Sequence, residues 1–478
     1  MRLNTSPSNR APAASGSSPT NAEPPPARNT PRLVTANAPA KQKKQQVVVV
    51  GGGAGGLELV ARLGAKYDRR THDIILLERN RTHIWKPLLH EVAAGSLDAN
   101  LDEVGYGAHA YRWGYRFFQG TLKDIDRVNQ QVIVAPLLDD DGNEIVGEHR
   151  IRYDFLVIAV GSVSNDFGVE GVKEHCLALE SRKDADAFRS RLLNQCLRCS
   201  RKLSIDPDAD EEVRIGIVGA GATGVELAAE LYNAAAALRF YGLEVFDETR
   251  LKVTLIEAGP RILPALPETL AEAAHEELEE LGVEVVTGAV VESVSADAIR
   301  TKDGKEYACR LKVWAAGVKA PSFLNGLAGL ETNRNDQLVV RDTLQTTEDD
   351  LIYALGDCAA FTPEGAERPI PPRAQSAHQM ADTVFHNITA AMQKNKSLKA
   401  FTYEDHGSLV SLSRFATVGS LMGNLVGGRM AVEGRLARFF YVSLYRLHLL
   451  AIHGWFRGLG MIVTGHVNRI TRPKLKLH

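Results

Sequence analysis

A chain of 478 residues, 44% hydrophobic and 24% charged, is long enough for two or three domains that each bury a core, which excludes a fibrous or wholly disordered protein. The formal charge of -2 excludes a general nucleic-acid binder, although both ends are basic. Five cysteines (Cys176, Cys196, Cys199, Cys309 and Cys358) are too few for a disulfide framework at this length, so a reducing, cytosol-facing environment is expected.

Residues 1–45 are rich in Pro, Ser, Ala, Asn and Thr and read as a disordered tail; they lack the apolar run of a secretory signal. Val47 to Val50 then form a buried parallel strand that feeds Gly51-Gly52-Gly53-Ala54-Gly55-Gly56 and a helix over 57–66. In this strand, G-x-G-x-x-G, helix arrangement Gly51 makes the turn, Gly53 lets the backbone approach a pyrophosphate, and Gly56 lets helix and strand pack closely, with Ala54 and Gly55 between them counted with the cofactor-binding residues. The next strand, 73–77, ends on Glu78, where a carboxylate accepts hydrogen bonds from ribose hydroxyls.

The pattern returns downstream. A strand over 213–218 leads into Gly219-Ala220-Gly221-Ala222-Thr223-Gly224 and a helix over 225–238, and the strand 251–256 ends on Glu257. Gly219, Gly221 and Gly224 repeat the first fingerprint, so the chain is expected to hold two dinucleotides. Glu257 repels a 2′-phosphate and favours NADH over NADPH, with Arg261 close by as the one opposing group.

A third element, Leu351-Ile352-Tyr353-Ala354-Leu355-Gly356-Asp357, is a short apolar strand ending in Gly-Asp. It resembles the segment of glutathione-reductase-like flavoproteins whose carboxylate meets the flavin ribityl chain, which implies that Gly356 and Asp357 bind FAD at the first fingerprint and that NADH takes the second. Residues 154–162, with Gly161, and 312–318, with Gly317, look like the paired crossings between such FAD and NAD domains. The resemblance is to the two-dinucleotide flavoprotein superfamily and implies an α/β fold with two Rossmann-like domains, the NAD domain inserted in a split FAD domain. The expected divisions are 46–165 and 326–400 for FAD, 166–325 for NADH, and 401–478 for a C-terminal domain.

Cysteine placement and a glutamine pair bear on the electron acceptor. No cysteine lies in the helix after the first fingerprint, which disfavours a disulfide reductase, and Cys196-Leu197-Arg198-Cys199 precedes the second fingerprint in a charged helical stretch where packing explains it. Cys358 lacks the partner that a sulfide:quinone oxidoreductase needs. In Pro371-Pro372-Arg373-Ala374-Gln375-Ser376-Ala377-His378-Gln379 a helix begins after two prolines, and Gln375 and Gln379 leave the same face. This string resembles the quinone-site motif of the type II NADH dehydrogenases, which implies that Ala374 and Gln375 lie beside the flavin and that Gln375 and Gln379 meet a quinone. The loop 83–91, with Lys86, the stretch 401–409, and Glu226 after the second fingerprint are similar to the same family; Ser413 before Arg414 departs from it, where glycine is expected.

From Leu436 to Val467 the chain is apolar and aromatic but is broken by Arg438, Arg446, His448, His453, Arg457 and His466. An interfacial helix on a lipid surface is therefore expected in place of a spanning one, with Arg469, Arg472, Lys474 and Lys476 at headgroups. The resulting expectation is a peripheral enzyme on the cytoplasmic face of the membrane that passes electrons from NADH through FAD to a membrane quinone without pumping protons, leaving a homodimer open. Metal and hydrolytic chemistry find no motif. The alternatives are a soluble FAD-dependent reductase of a ferredoxin-, rubredoxin- or thioredoxin-like protein, and a non-enzymatic NADH sensor.

Overall fold

The computed structural model describes residues 44–238, 243, 248–393, 397–412, 416–421, 430–433 and 445–471. The expected tail up to residue 43, the Ser413–Arg414 departure, Arg438 and the closing residues Arg472, Lys474 and Lys476 lie outside them.

Four valines in succession leave no polar face, so the strand Gln45–Val50 is covered on both sides and sits at the centre of a sheet. That sheet runs Gln345–Thr346, Asp349–Ala354, Phe155–Ile158, Gln45–Val50, His72–Glu78, Arg116–Gln119, parallel throughout except for the antiparallel first edge strand. A second, wholly parallel sheet runs Val283–Val286, Leu251–Ile256, Val213–Val218, Leu311–Trp314. All four of its strands fall in the chain between Phe155–Ile158 and Asp349–Ala354, which are neighbours in the first sheet. One α/β unit is therefore inserted into another, and the chain crosses out and back through the antiparallel pair Val163–Ser164 and Val318–Lys319.

The helices begin earlier than hydropathy suggests, because glycine and alanine carry no apolar signal: Ala54–Lys66 and Ala222–Leu238 both start inside their fingerprints. Ala54–Lys66 packs against Ala374–Met392, and Gly55 permits it: a Cβ there would lie 2.7 Å from the Ala377 carbonyl oxygen. Leu89–Ala94, from the expected flavin-side loop, packs on Arg182–Ile205 and Ala222–Leu238 of the inserted unit.

The described part of the C-terminal apolar stretch is helical over 445–453 and over Trp455–Thr471, with a break at Gly454, whose φ of +76° suits glycine. Leu449 and Ile452 are buried, whereas Leu447, Trp455, Phe456, Leu459 and Val463 are exposed, Phe456 at 90%. Among the described residues no helix is long and apolar enough to cross a membrane.

The glycines differ sharply in the room they have. A Cβ on Gly56 would sit 2.0 Å from the Gly51 carbonyl oxygen, so Gly56→Ala must push helix from strand and is expected to destabilise by ~1–3 kcal/mol. Gly53, where a Cβ meets nothing within 4 Å and φ is -66°, should accept Ala with little change. Thermal unfolding of the two variants checks the contrast.

Candidate functional site

The two fingerprints are built alike. In the first, Gly51 N–H donates to Leu77 O at 2.9 Å and Gly52 N–H to Glu78 Oε2 at 2.8 Å. In the second, Gly219 N–H donates to Ile256 O and Ala220 N–H to Glu257 Oε2, both at 2.8 Å. Each sharp turn needs φ near +100° and leaves no space for a side chain: a Cβ on Gly51 would meet Ala159 O at 2.3 Å, and one on Gly219 would meet Ala316 at 2.6 Å. Gly53 and Gly221 face open space, so the backbone at each helix start is bare toward a ligand, as a diphosphate requires.

The first cleft has further walls. Lys86 Nζ donates to Ser162 O at 3.0 Å, Ser162 Oγ to Asp357 Oδ2 at 2.7 Å, and Gln337 Nε2 to Asp357 O at 2.9 Å. Gly161, on the outgoing crossing, and Gly356, in the Gly-Asp turn, adopt φ of +72° and +73°, which lets both segments turn tightly, and a Cβ on Gly161 would meet nothing within 4 Å. Gly356 N–H meets Met380 Sδ at 3.1 Å and a Cβ on Gly356 would stand 3.4 Å from that of Ala377, so the Gly-Asp turn abuts the start of helix Ala374–Met392. Ala374 is that helix's first residue. Lys86, Gly161, Gly356 and Asp357 are thus linked along one wall, which the Gly-Asp turn joins to the helix that Ala374 opens, and the open Gly53 and Gly161 leave room for an elongated ligand. Gly317, at φ +96°, lies on the return crossing beside Phe167.

Gln375 and Gln379 do share one face, but that face meets the returning chain. Gln375 Nε2 donates to Tyr403 OH, Asp405 Oδ1 and Gly407 O at 3.1–3.2 Å, and its Oε1 accepts from His406 N–H at 3.1 Å. Gln379 pairs with both backbone groups of Glu404, at 2.8 and 2.9 Å. The amides therefore fasten 403–407 over the helix start. Glu226 is buried, accepts the Ser411 N–H at 3.1 Å, and stands 3.5 Å from His90 Nδ1. Burial pushes His90 down to about 4, so it is neutral beside this carboxylate.

Several groups at this junction carried no sequence signal. His378, between the two glutamines, is hydrogen-bonded to Glu58 of the first helix. His83 Nε2 lies 3.0 Å from His448 Nε2 of the C-terminal helix, and His448 stacks on Trp85 with centroids 4.0 Å apart. His109 bonds to Tyr115 OH at 2.9 Å and Ile452 O at 2.7 Å. In the sequence His448 and His453 read only as polar interruptions of an apolar run, because their partners are hundreds of residues away. The cysteines are all free; Cys196 and Cys199 are buried, and burial pushes the Cys196 thiol up to about 12.

Burial pushes His83 and His109 down to about 4 and also lowers His448 and His453, the latter further depressed by Arg112 and Arg457. Helix 445–453 is thus seated on neutral imidazoles, with Glu58, His378, Tyr106, Tyr115, Arg112 and Arg457 among the titratable and charged groups around them. A released histidine titrates near 6.5, so between 6.5 and 4 the unseated state binds more protons. Seating is expected to be full above pH 6.5 and to weaken as pH falls toward 4. Tryptophan emission, reporting Trp85 and Trp113, should shift to the red over this window before the sheets unfold; constant emission until global unfolding would contradict this.

Residues 45–381 match the family model described as pyridine nucleotide-disulphide oxidoreductase. The chain is 46% identical over 436 residues to a protein named type II NADH:quinone oxidoreductase from Haemophilus influenzae, covering 89% of this chain and 98% of that one. It is 30% identical over 381 residues to one of the same name from Staphylococcus aureus, covering 79% and 89%. In fold it is similar to NDH2 from Plasmodium falciparum in complex with NADH (TM-score 0.74, 19% identity, 91% and 100% covered). It is also similar to the sulfide:quinone oxidoreductase of Aquifex aeolicus (TM-score 0.66, 18% identity, 89% and 95% covered). The chain therefore belongs to the type II NADH:quinone oxidoreductases, within the pyridine nucleotide-disulphide oxidoreductase family.

Proposed function

We propose that the protein catalyses NADH + H⁺ + quinone → NAD⁺ + quinol, with FAD at the first fingerprint and NADH at the second, on the cytoplasmic face of the membrane and without ion transport. The observation that carries the reading is the convergence of Gly356–Asp357, Lys86 and the first fingerprint on the start of the helix that bears Gln375 and Gln379. A bound flavin supplies the chemistry of taking a hydride equivalent from a nicotinamide and passing two electrons to a quinone.

The protein's part is to bind and orient. Lys86, Ser162 and Asp357 form a polar wall along the first cleft, and the helix start at Ala54 would receive the diphosphate charge of a bound cofactor. Glu257 is fixed by Ala220 N–H and by Gly259 N–H at 2.8 Å, ready for ribose hydroxyls. Arg261, the group that could have welcomed a 2′-phosphate, instead donates to the carbonyls of Leu263, Pro264 and Leu266, which supports NADH over NADPH. Glu226 is proposed to stand at the junction of the two cofactors, where His90 and Ser411 hold its carboxylate. Gln375 and Gln379 position the 403–407 segment, and quinone is proposed to enter beside it.

The exposed Leu447, Trp455, Phe456, Leu459 and Val463, with Arg446 and Arg457 on the same helices, suit a lipid interface and bring the C-terminal segment to the bilayer where quinone dissolves. A thiol acceptor route through Cys196 and Cys199 is disfavoured, since a buried thiol held near 12 yields no thiolate.

Gln375→Leu removes the bonds to Tyr403, Asp405 and His406 and is expected to slow flavin reoxidation by quinone by ~10-fold, while reduction by NADH stays within about twofold. Rapid-mixing of each half-reaction separates the two; equal loss in both would remove the quinone role from this face.

A further inference from the structure

The peptide between Gly52 and Gly53 is held through its carbonyl by two side chains. Gly52 O accepts from Tyr106 OH at 2.7 Å and from His83 Nδ1 at 2.9 Å, while the preceding peptide is fixed by Gly52 N–H donating to Glu78. A trans peptide points its carbonyl and its following N–H in opposite directions, so fixing Gly52 O also fixes the aim of the Gly53 N–H. That N–H belongs to the residue that caps helix Ala54–Lys66 and has open space beside it.

His83 is itself set by hydrogen-bond logic. A carbonyl only accepts, so His83 Nδ1 carries the hydrogen, and the neutral ring offers a lone pair at Nε2. His448 Nε2, 3.0 Å away, must donate to it. His448 Nδ1 is then bare, which agrees with its being buried without a hydrogen-bond partner among the described residues. The chain of contacts thus runs from helix 445–453 through His448, His83 and Gly52 O to the Gly53 amide.

The second fingerprint is an internal control. There the equivalent carbonyl, Ala220 O, accepts from a main-chain donor, Leu263 N–H at 2.8 Å, within the inserted unit itself. The same peptide is clamped by local backbone in one site and by side chains that reach the C-terminal helix in the other.

We propose that helix 445–453 is a working part of the first dinucleotide site: His448, acting through His83 and the Gly52 carbonyl, directs the Gly53 amide that receives the cofactor's diphosphate. His448, His83 and Tyr106 are positioning residues, and the inference rests on the reading that the first fingerprint holds the flavin dinucleotide. Seating of the C-terminal segment and retention of the flavin are then reciprocally linked, so that loss of either loosens the other.

Two measurements on the full-length, detergent-solubilised holoenzyme test it. Flavin release is followed by fluorescence for His448→Phe, which keeps the ring against Trp85 but loses the donor, and for His448→Gln, which keeps a donor. The dissociation constant should rise roughly five- to tenfold in the Phe variant and stay near the parent in the Gln variant. Equal retention in Phe and parent, or equal loss in Phe and Gln, overturns the proposal. The second measurement needs no variant: trypsin cleavage at Arg446 and Arg457 should accelerate when flavin is stripped and slow again when FAD is restored, and unchanged rates overturn the link. Gly53→Val, which fills the bare approach, must abolish flavin binding while NADH binding persists. Flavin retained in that variant sinks the site reading and the inference with it, whereas flavin lost there but held equally by parent and His448→Phe sinks the inference alone.

Discussion

The close approach of a helix start to the end of a buried strand is the constraint on which the rest of this molecule depends. At Gly51 and Gly56, and again at Gly219 and Gly224, a carbonyl oxygen or main-chain atom occupies the place of any side chain; a Cβ on Gly224 would lie 2.0 Å from Gly219 O. Because nothing larger than hydrogen fits at these points, the backbone comes close at each helix start, and the N–H groups and dipole there suit an anionic ligand. The inserted topology and the crossings at Gly161 and Gly317 set the junction between the two units that carry these helix starts.

That junction is assembled from distant pieces of chain. Leu89–Ala94 of the outer unit packs on the inserted unit, Glu226 reaches Ser411 of the C-terminal strand, and Gln375 and Gln379 fasten 403–407 across the helix start. An enzyme that needs two substrates at one flavin gains from such convergence, since orientation is supplied by packing. The C-terminal helices add a face with exposed Trp455 and Phe456 on one side and His448 against the fingerprint loop on the other, which places the proposed lipid contact and the proposed cofactor contact within the same short segment.

Much of this is legible in the sequence because its determinants are local. Glycines at fixed spacing after four valines, acids at the ends of the next strands, and Gly356-Asp357 after an apolar run each encode their own geometry, and the fold and family follow from them. The helix starts at Ala54 and Ala222 are placed late by hydropathy, since small residues carry no apolar periodicity. The same-face placement of Gln375 and Gln379 is legible, but not what they touch, because periodicity names a face and not its neighbour. The His83–His448 bond is invisible: it joins residues 365 apart, and a lone histidine in an apolar segment reads as an interruption. The break at Gly454 escapes the sequence for a related reason, as its left-handed backbone shows only once the helix on either side is packed.

A protein that takes hydride equivalents from NADH and passes them to a quinone must show both half-reactions at its flavin. Mixing the flavin-loaded protein anaerobically with NADH, then with a short-chain ubiquinone, measures both halves in one trace, with NADPH as the control. Rapid bleaching by NADH, slow bleaching by NADPH and rapid recovery on adding quinone are the predicted results. Bleaching by NADH with no recovery by quinone would contradict the account and redirect the electrons to a protein acceptor or to a sensing role.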